Sequence, residues 1–238
     1  MKRLQRIDGT SRRPQHGVSL LSVMLMVLVT SLVVMWASRT ALFNEMVTGN
    51  TSDYQRAVEA AHAMLRDAEF DIRGIQPDGS ACAGAACRHQ GVYDAAARSA
   101  FYPTNESDYQ DLRSASGGSG PSCIAGICTP DNVQPYFWTD AAKLAAMKKV
   151  AATYGSHTGA KASPFGDTPA DGSEPRAWYW VEVLPYDTSV AFDGGIRAAL
   201  SPDEDTPFVY RITAVAQGMK AATLAVVQTT LVVKRVDS

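Results

Sequence analysis

The sequence lacks the motifs that identify the commonest enzyme sites. It has no G-x-x-x-x-G-K-[ST] phosphate loop, and the segment Gly117–Pro121 falls short of a G-x-S-x-G nucleophile elbow because its last residue is proline. Histidine is scarce, and the four that occur do not have metal-ligand spacing: His16, His62, His89 and His157. These absences predict a protein that is not an enzyme and that holds no metal or cofactor.

An excess of positive charge is also missing, because the formal net charge is −2. The balance therefore predicts no binding to nucleic acid. The distribution is uneven, however: residues 1–17 hold five basic residues and one acidic residue, which leaves 17 basic and 23 acidic residues in the remainder. A basic head on an acidic body is expected when the head stays in the cytoplasm and the body crosses a membrane.

Charged residues are absent from the twenty-residue run Val18–Ala37. At about 1.5 Å per residue, a helix of this length spans roughly the 30 Å of a bilayer's hydrocarbon core. A cleavable secretory signal has a shorter apolar region of about 7–15 residues. The run predicts a single membrane-spanning helix, with the N-terminus in the cytoplasm and everything after Arg39 on the other side of the membrane.

The helical pattern continues beyond this run. Apolar residues recur at spacings of three and four as far as Ile72, and charged residues occupy the other face. Gly49 lowers the local helix propensity by about 1 kcal/mol and predicts that the helix is weakened there. Gly74 suits the left-handed position that ends helices. We predict one helix over residues 18–74, whose second half packs on a globular domain of residues 75–238. The apolar stripe comprises Ala57, Ala61, Met64, Leu65, Ala68 and Ile72, and the charged face comprises Arg56, Glu59, Arg66, Asp67 and Glu69.

The four cysteines form two C-x4-C pairs, Cys82 with Cys87 and Cys123 with Cys128. Outside the cytoplasm an even number of cysteines indicates disulfides. Three connectivities are open: proximity favours pairing within each C-x4-C segment, whereas cross-pairing would close longer loops and stabilise the fold more. A four-cysteine zinc site is the competing interpretation.

The C-terminal third contains three segments rich in β-branched and aromatic residues at alternating positions, which predict strands: Ala177–Asp187, Pro207–Gly218 and Thr223–Val236. The short connection between the last two predicts a hairpin. Thr139–Gly155 predicts a second, short helix, and Ser114–Ser122, within the Gly-, Ser-, Ala- and Asp-rich residues 75–135, predicts a flexible loop. Together these elements predict an α+β domain, with the long helix packed on a small antiparallel sheet.

Three adjacent acidic residues, Asp203, Glu204 and Asp205, offer oxygen ligands of the kind that calcium prefers. They lack the 12-residue spacing of an EF-hand loop. A calcium site therefore stays open as an interpretation, but the pattern favours a solvated loop.

A basic leader ending in glycine, followed by an uncharged helix that continues into a globular domain, resembles the class III signal of type IV pilins and pseudopilins. The resemblance implies that a prepilin peptidase cuts between Gly17 and Val18 and N-methylates Val18. The fifth mature position, usually glutamate in major pilins, is Ser22. A carboxylate in lipid costs several kcal/mol unless it is paired, and in pilins the neighbouring subunit's amino terminus is thought to pair it. Serine would suit a subunit with no neighbour above it.

Further segments resemble PilX-type minor pilins: Asn44–Asn50 (NEMVTGN), Ala57–Glu69 (AVEAAHAMLRDAE), Cys123–Pro130 (CIAGICTP), and the strand pair Tyr210–Gly218 with Leu224–Val233. The resemblance implies a pilin-like fold and a minor pilin that helps to initiate type IV pilus assembly and sits at the pilus tip. The implied partners are other minor pilins, the major pilin and a tip adhesin. The alternatives are a K-type pseudopilin of type II secretion, which usually carries a large helical insertion, and a membrane-tethered periplasmic enzyme or binding protein.

Overall fold

The structure is a computed structural model that describes residues 18–84, 86–88, 101–117, 123–161, 175–187, 201–202 and 206–234. It divides the chain into two units. The first ends at Asn50, and the second runs from Thr51 to the C-terminus and contains the sheet.

The longest element is helix α1, Val18–Arg73, with 56 residues. It contains no proline, and it continues through Gly49, so the weakening expected there does not interrupt the helix. The helix ends as predicted at Gly74, whose φ is +65°. The Ile75 N–H donates to the Phe70 carbonyl at 3.0 Å and the Gly74 N–H donates to the Asp71 carbonyl at 3.1 Å, which together form a Schellman motif.

A four-stranded sheet has the order β1-β2-β3-β4. The strands are β1 (Ile127–Cys128), β2 (Ala177–Pro185), β3 (Phe208–Gln217) and β4 (Leu224–Val232). The last three are the predicted strands, and they pair antiparallel with continuous registers of nine residue pairs each. The sheet also contains a strand that was not predicted, because β1 pairs parallel to β2 and makes the sheet mixed. A two-residue strand is too short to show an alternating pattern.

The described part of the second unit also contains two short α-helices, α2 (Glu106–Ala115) and α3 (Ala141–Lys148). No sequence pattern predicted α2, in which the Asn105 side chain caps the helix by accepting from the Asp108 N–H at 3.0 Å. The helix includes Ser114 and Ala115, the first two residues of the predicted loop Ser114–Ser122. Helix α3 is shorter than the predicted helix. It starts after Asp140, whose carboxylate accepts from two backbone N–H groups, and the chain beyond Lys148 leaves the helix so that Ala152 can bridge to β2.

Two apolar clusters lie on opposite faces of the sheet, because alternate side chains of a strand point to opposite sides. On one face, Tyr179, Val181 and Val183 of β2 join the predicted stripe of α1, all of which is buried. On the other face, Trp178 and Trp180 join the second disulfide and residues of α3. The α+β, pilin-like fold with a long N-terminal helix on a small sheet is confirmed.

Candidate functional site

The first unit presents an uncharged apolar surface of membrane-spanning length. The large apolar side chains from Leu20 to Trp36 are 50–76% exposed, and no part of the most apolar 18-residue window is buried within the protein. By length and composition this helix could cross a membrane once, in agreement with the predicted span. Within residues 19–50 the charged side chains are Arg39 and Glu45.

Hydroxyl groups in this segment donate back to their own helix. The Thr30 hydroxyl donates to the Met26 carbonyl at 2.9 Å, and the Ser31 hydroxyl donates to the Val27 carbonyl at 2.6 Å. This pattern satisfies the hydroxyl proton without a partner from another chain, so the span can enter hydrocarbon at little cost. The small side chains also allow a neighbouring helix to approach closely.

The apolar surface continues past the predicted membrane boundary at Arg39. Leu42, Phe43, Met46 and Val47 are 55–63% exposed. At about 1.5 Å per residue, the distance from Leu20 to Val47 is roughly 40 Å, which exceeds the roughly 30 Å of a hydrocarbon core. The exposed apolar surface is therefore longer than lipid alone can cover, and such surfaces mark sites of contact with other proteins.

The predicted processing junction lies at the start of α1. Val18 is the first residue of the helix, and Ser22 lies exposed one turn later. Gly17 and the rest of the basic leader lie outside the described residues. The first turn of α1 contains no acidic side chain.

In the second unit, α1 is attached through three buried carboxylates, beginning with Asp53. The N–H groups of Met219 and Lys220 donate to this carboxylate at 2.7 and 3.1 Å. Both donors lie in the turn between β3 and β4. A hydrogen bond from the Thr223 side chain and the bond from Met219 lower the pKa of Asp53. Gly218 allows the close approach, because a Cβ atom there would lie 2.6 Å from the carboxylate oxygen.

The second carboxylate, Asp67, attaches the loop between α3 and β2. It accepts from the Gly155 N–H at 2.8 Å and from the Thr158 hydroxyl. Its side chain is buried, and burial raises its pKa despite these hydrogen bonds. The sequence prediction that Asp67 belongs to the charged, solvated face of α1 was wrong, because this loop covers it.

The third carboxylate, Asp71, forms a buried ion pair with Arg88, in which the two side chains are 0% and 3% exposed. The Arg88 Nε–H donates to both carboxylate oxygens at 2.8 and 2.9 Å. The hydroxyls of Tyr102 and Tyr179 donate to the same carboxylate at 3.0 and 2.9 Å. Burial raises the pKa of both tyrosines, so they remain neutral donors. Three donor groups from distant parts of the chain thus meet at the Asp71 carboxylate.

Both cysteine pairs are disulfides, Cys82–Cys87 and Cys123–Cys128, which is the connectivity that proximity favoured. All four sulfurs are therefore engaged, and none is a thiolate that could bind zinc. Arg88 directly follows the first disulfide, and its Nη2 group donates at 2.6 Å to the carbonyl of Ala125, inside the second disulfide loop.

The remaining candidate ligands do not gather into a site. His62 is exposed on α1, and burial lowers the pKa of the half-buried His157. In the described part of the chain, no three His, Cys, Asp or Glu side chains come together as metal ligands. His16, His89 and the acidic run Asp203–Asp205 lie outside the described residues, so the solvated loop stays a prediction and the calcium site stays its alternative.

Sequence reasoning missed the three carboxylate anchors. A signal was present, because Asp53 and Asp71 are eighteen residues apart, a whole number of helical turns at 3.6 residues per turn, and Asp67 is one turn from Asp71. Acidic residues aligned along the border of an apolar stripe differ from charges spread over a solvated face. The donors, however, lie up to 167 residues away in the sequence.

Residues 124–233 match the family model described as type IV pilus assembly protein PilX, C-terminal. The match starts inside the second disulfide loop and continues through α3 to the end of β4. No curated protein and no solved structure matches the chain.

Proposed function

We propose that the chain is a member of the PilX family of type IV pilus assembly proteins, whose model its residues 124–233 match, and that it is a minor pilin that helps to initiate pilus assembly and stays at the pilus tip. Its N-terminus lies in the cytoplasm and its C-terminal domain in the periplasm until it is extracted from the inner membrane. It acts as a structural subunit and not as an enzyme.

The length of the exposed apolar surface on α1 carries this proposal. A helix that only tethers a domain needs about 30 Å of apolar surface, whereas here exposed apolar side chains continue from Leu20 to Val47. A subunit that leaves lipid and packs among other pilin helices uses the whole length. The partners are the major pilin and other minor pilins along α1, with a tip adhesin on the globular domain.

The uncharged residue at position 22 supports the tip location. A carboxylate there would need a cation from a subunit above it, because an unpaired charge in an apolar bundle is costly. Ser22 carries no charge, so the subunit can end a fibre without such a partner. Processing by a prepilin peptidase between Gly17 and Val18 belongs to the same proposal.

Mass spectrometry of the N-terminus of the mature chain tests the proposal. We expect a chain that begins at an N-methylated Val18, and we expect Gly17→Leu to retain the basic leader. The matched control is Gly9→Leu, which changes a glycine within the leader and should be processed like the wild type. A mature chain that still begins at Met1 would overturn the proposal and favour a membrane-tethered enzyme or binding protein, and so would cleavage beyond Trp36.

A further inference from the structure

Strand β4 forms one edge of the sheet. It pairs with β3 on one side, and no described residue pairs with its other side. Backbone N–H and C=O groups along a free edge are ready to pair with another strand. The outer edge of β4 is therefore a candidate interaction surface.

The register identifies which backbone groups face outward. The Gly218 N–H donates to the Thr223 carbonyl at 2.9 Å, which makes these residues a hydrogen-bonded pair. Hydrogen-bonded and non-hydrogen-bonded pairs alternate along an antiparallel ladder. It follows that Ala225, Val227, Thr229 and Leu231 bond to β3, whereas five residues direct their backbone N–H and C=O groups outward: Leu224, Val226, Gln228, Thr230 and Val232.

The opposite side of β3 supports this assignment. The Gln217 N–H donates to the Arg176 carbonyl at 2.7 Å, so Gln217 and every second residue before it bond to β2. The residues between them, including Ala216, are then the ones that bond to β4. The pairing of β3 with β2 and its pairing with β4 therefore give the same assignment of outward-facing residues on β4.

The edge lacks the devices that usually prevent strand addition. Proteins protect edges with charged side chains, proline, bulges or very short strands. Strand β4 has nine residues without charge, proline or glycine, and its register with β3 has no bulge. A long, regular and uncharged edge is suited to pairing with a partner.

The side chains beside the edge indicate the chemistry of the partner. Val226, Val227, Leu231 and Val232 are half-buried, so both faces of the strand offer apolar surface next to the free backbone groups. A charged side chain placed against them would lose water without gaining a counter-ion. An incoming strand rich in uncharged, β-branched residues matches this surface.

We propose that the outer edge of β4 binds an extended, uncharged strand of a neighbouring subunit in the pilus assembly complex, so that the partner adds a fifth strand to the sheet. Backbone hydrogen bonds supply the attachment, and the apolar rows select the partner's side chains. This inference rests on the proposed function, because the neighbour is a subunit of the same assembly.

Hydrogen exchange of the full-length chain in detergent micelles provides the first test. We expect the outward amides of Val226, Gln228 and Thr230 to exchange at least about 100-fold faster than the inward amides of Val227 and Thr229. Equal protection of both sets would overturn the inference, since the edge would then be covered by the chain itself. Protection that rises with protein concentration would also overturn it, since the occupant would be a second copy.

Substitution at Thr230 provides the second test, with the amount of chain in sheared pili relative to the membrane fraction as the readout. Proline at an outward position of an edge strand removes a free N–H and keeps the pairing with β3. We expect Thr230→Pro to fold, with an unchanged melting temperature, and to lower the amount in pili at least about tenfold, which corresponds to about 1.4 kcal/mol. The matched control Thr230→Val keeps the N–H and should behave like the wild type.

A second variant keeps the test decisive if Thr230→Pro fails to fold. Thr230→Lys retains the N–H and places a charge at the edge, and we expect the same loss from pili. Wild-type amounts of a folded variant in pili would overturn the inference. If the chain is processed at Val18 and enters pili but is unaffected by these substitutions, the edge inference alone fails; an unprocessed chain contradicts the proposed function instead.

Discussion

At the scale of single residues, two aspartates of α1 have pKa values that are shifted in opposite directions. Asp53 and Asp67 are both buried and both accept hydrogen bonds, but hydrogen bonding lowers the pKa of Asp53, whereas burial raises the pKa of Asp67. Asp53 therefore favours folding as a carboxylate. Asp67 contributes most when it is protonated, below the ordinary aspartate pKa of about 3.9.

We predict that Asp53→Asn is less stable than the wild type at neutral pH, because the asparagine side chain offers one acceptor and an NH2 group to the turn after β3. A lowered folded-state pKa gives stability that is present above the unfolded pKa of about 3.9 and is lost as the pH falls through the folded-state value. The difference between the two proteins should therefore shrink below about pH 4. Urea unfolding of the full chain at neutral pH and below pH 4 measures this difference in unfolding free energy.

The control for this prediction is Asp111→Asn, which removes an exposed carboxylate on α2. Its unfolding free energy should stay within about 0.5 kcal/mol of the wild type at neutral pH. If the difference in unfolding free energy between Asp53→Asn and the wild type grew as the pH fell, the result would contradict a lowered pKa for Asp53.

At the scale of elements, the buried pair of Asp71 and Arg88 joins α1 to both disulfide loops. Arg88 follows Cys87 directly and donates to Ala125 between the cysteines of the second disulfide. Removing one partner of a buried ion pair costs about 3–5 kcal/mol, because the other charge remains buried without compensation. The loops and the helix are therefore coupled through one guanidinium group.

We predict a measurable coupling between the first disulfide and Asp71. Replacing Cys82 and Cys87 by serine removes a constraint worth about 2 kcal/mol for so short a loop. It also frees Arg88 to reach water, so a later Asp71→Asn substitution should cost less than in the oxidised wild type. A double-mutant cycle on urea unfolding should give a coupling of about 1 kcal/mol.

Asp53 supplies the matched control for the cycle. It lies on the same helix eighteen residues earlier, about 27 Å along the axis, and it contacts the β3–β4 turn instead of a disulfide loop. The Asp53→Asn and disulfide substitutions should be additive within about 0.5 kcal/mol. Equal coupling for Asp53 and Asp71 would show that the disulfide acts on the whole unit and not through Arg88.

At the scale of the whole molecule, the two units treat apolar surface differently. The first unit leaves its large apolar side chains exposed over the length of α1 that it contains. In the described part of the second unit, the large apolar side chains that stay more than half exposed are Tyr54, Tyr136 and Met219. The second unit can therefore be stable in water, whereas the first needs lipid or other helices.

We predict that Phe43→Ser reduces incorporation into pili without unfolding the second unit. Phe43 is 62% exposed beyond the predicted membrane boundary, so its burial is available only in a complex with other helices. Full burial of a phenylalanine contributes about 1.5–3 kcal/mol, so its loss should lower the amount in sheared pili at least about tenfold. The amount of the Phe43→Ser chain in sheared pili relative to the membrane fraction measures this loss.

Thr48→Ser is the matched control for Phe43→Ser, since it lies in the same exposed segment and removes a single methyl group. It should leave the amount in pili unchanged. Equal amounts of the Phe43→Ser and wild-type chains in pili would contradict the argument that protein partners cover this part of α1.

Local patterns were enough to predict much of this architecture. The uncharged run and the apolar stripe predicted α1, and Gly74 predicted its end. The β-branched and aromatic residues around Trp178 to Val183 predicted β2. Helix α2 and strand β1 were missed because one is a polar helix in a loop-like composition and the other has two residues. Asp67 was misassigned because a helical wheel carries no information about the loop that covers it.

The sequence by itself determined the features that depend on neighbours in the chain: the membrane-length helix, its amphipathic continuation, the strands and the short-range disulfide candidates. Only the tertiary structure decided which loops the three carboxylates hold, that Arg88 meets Asp71, and that β4 is left at an edge. Those features depend on groups brought together across as many as 167 residues. Spacing along the chain encodes periodicity, whereas a hydrogen bond between distant segments exists only once folding has excluded water from between them.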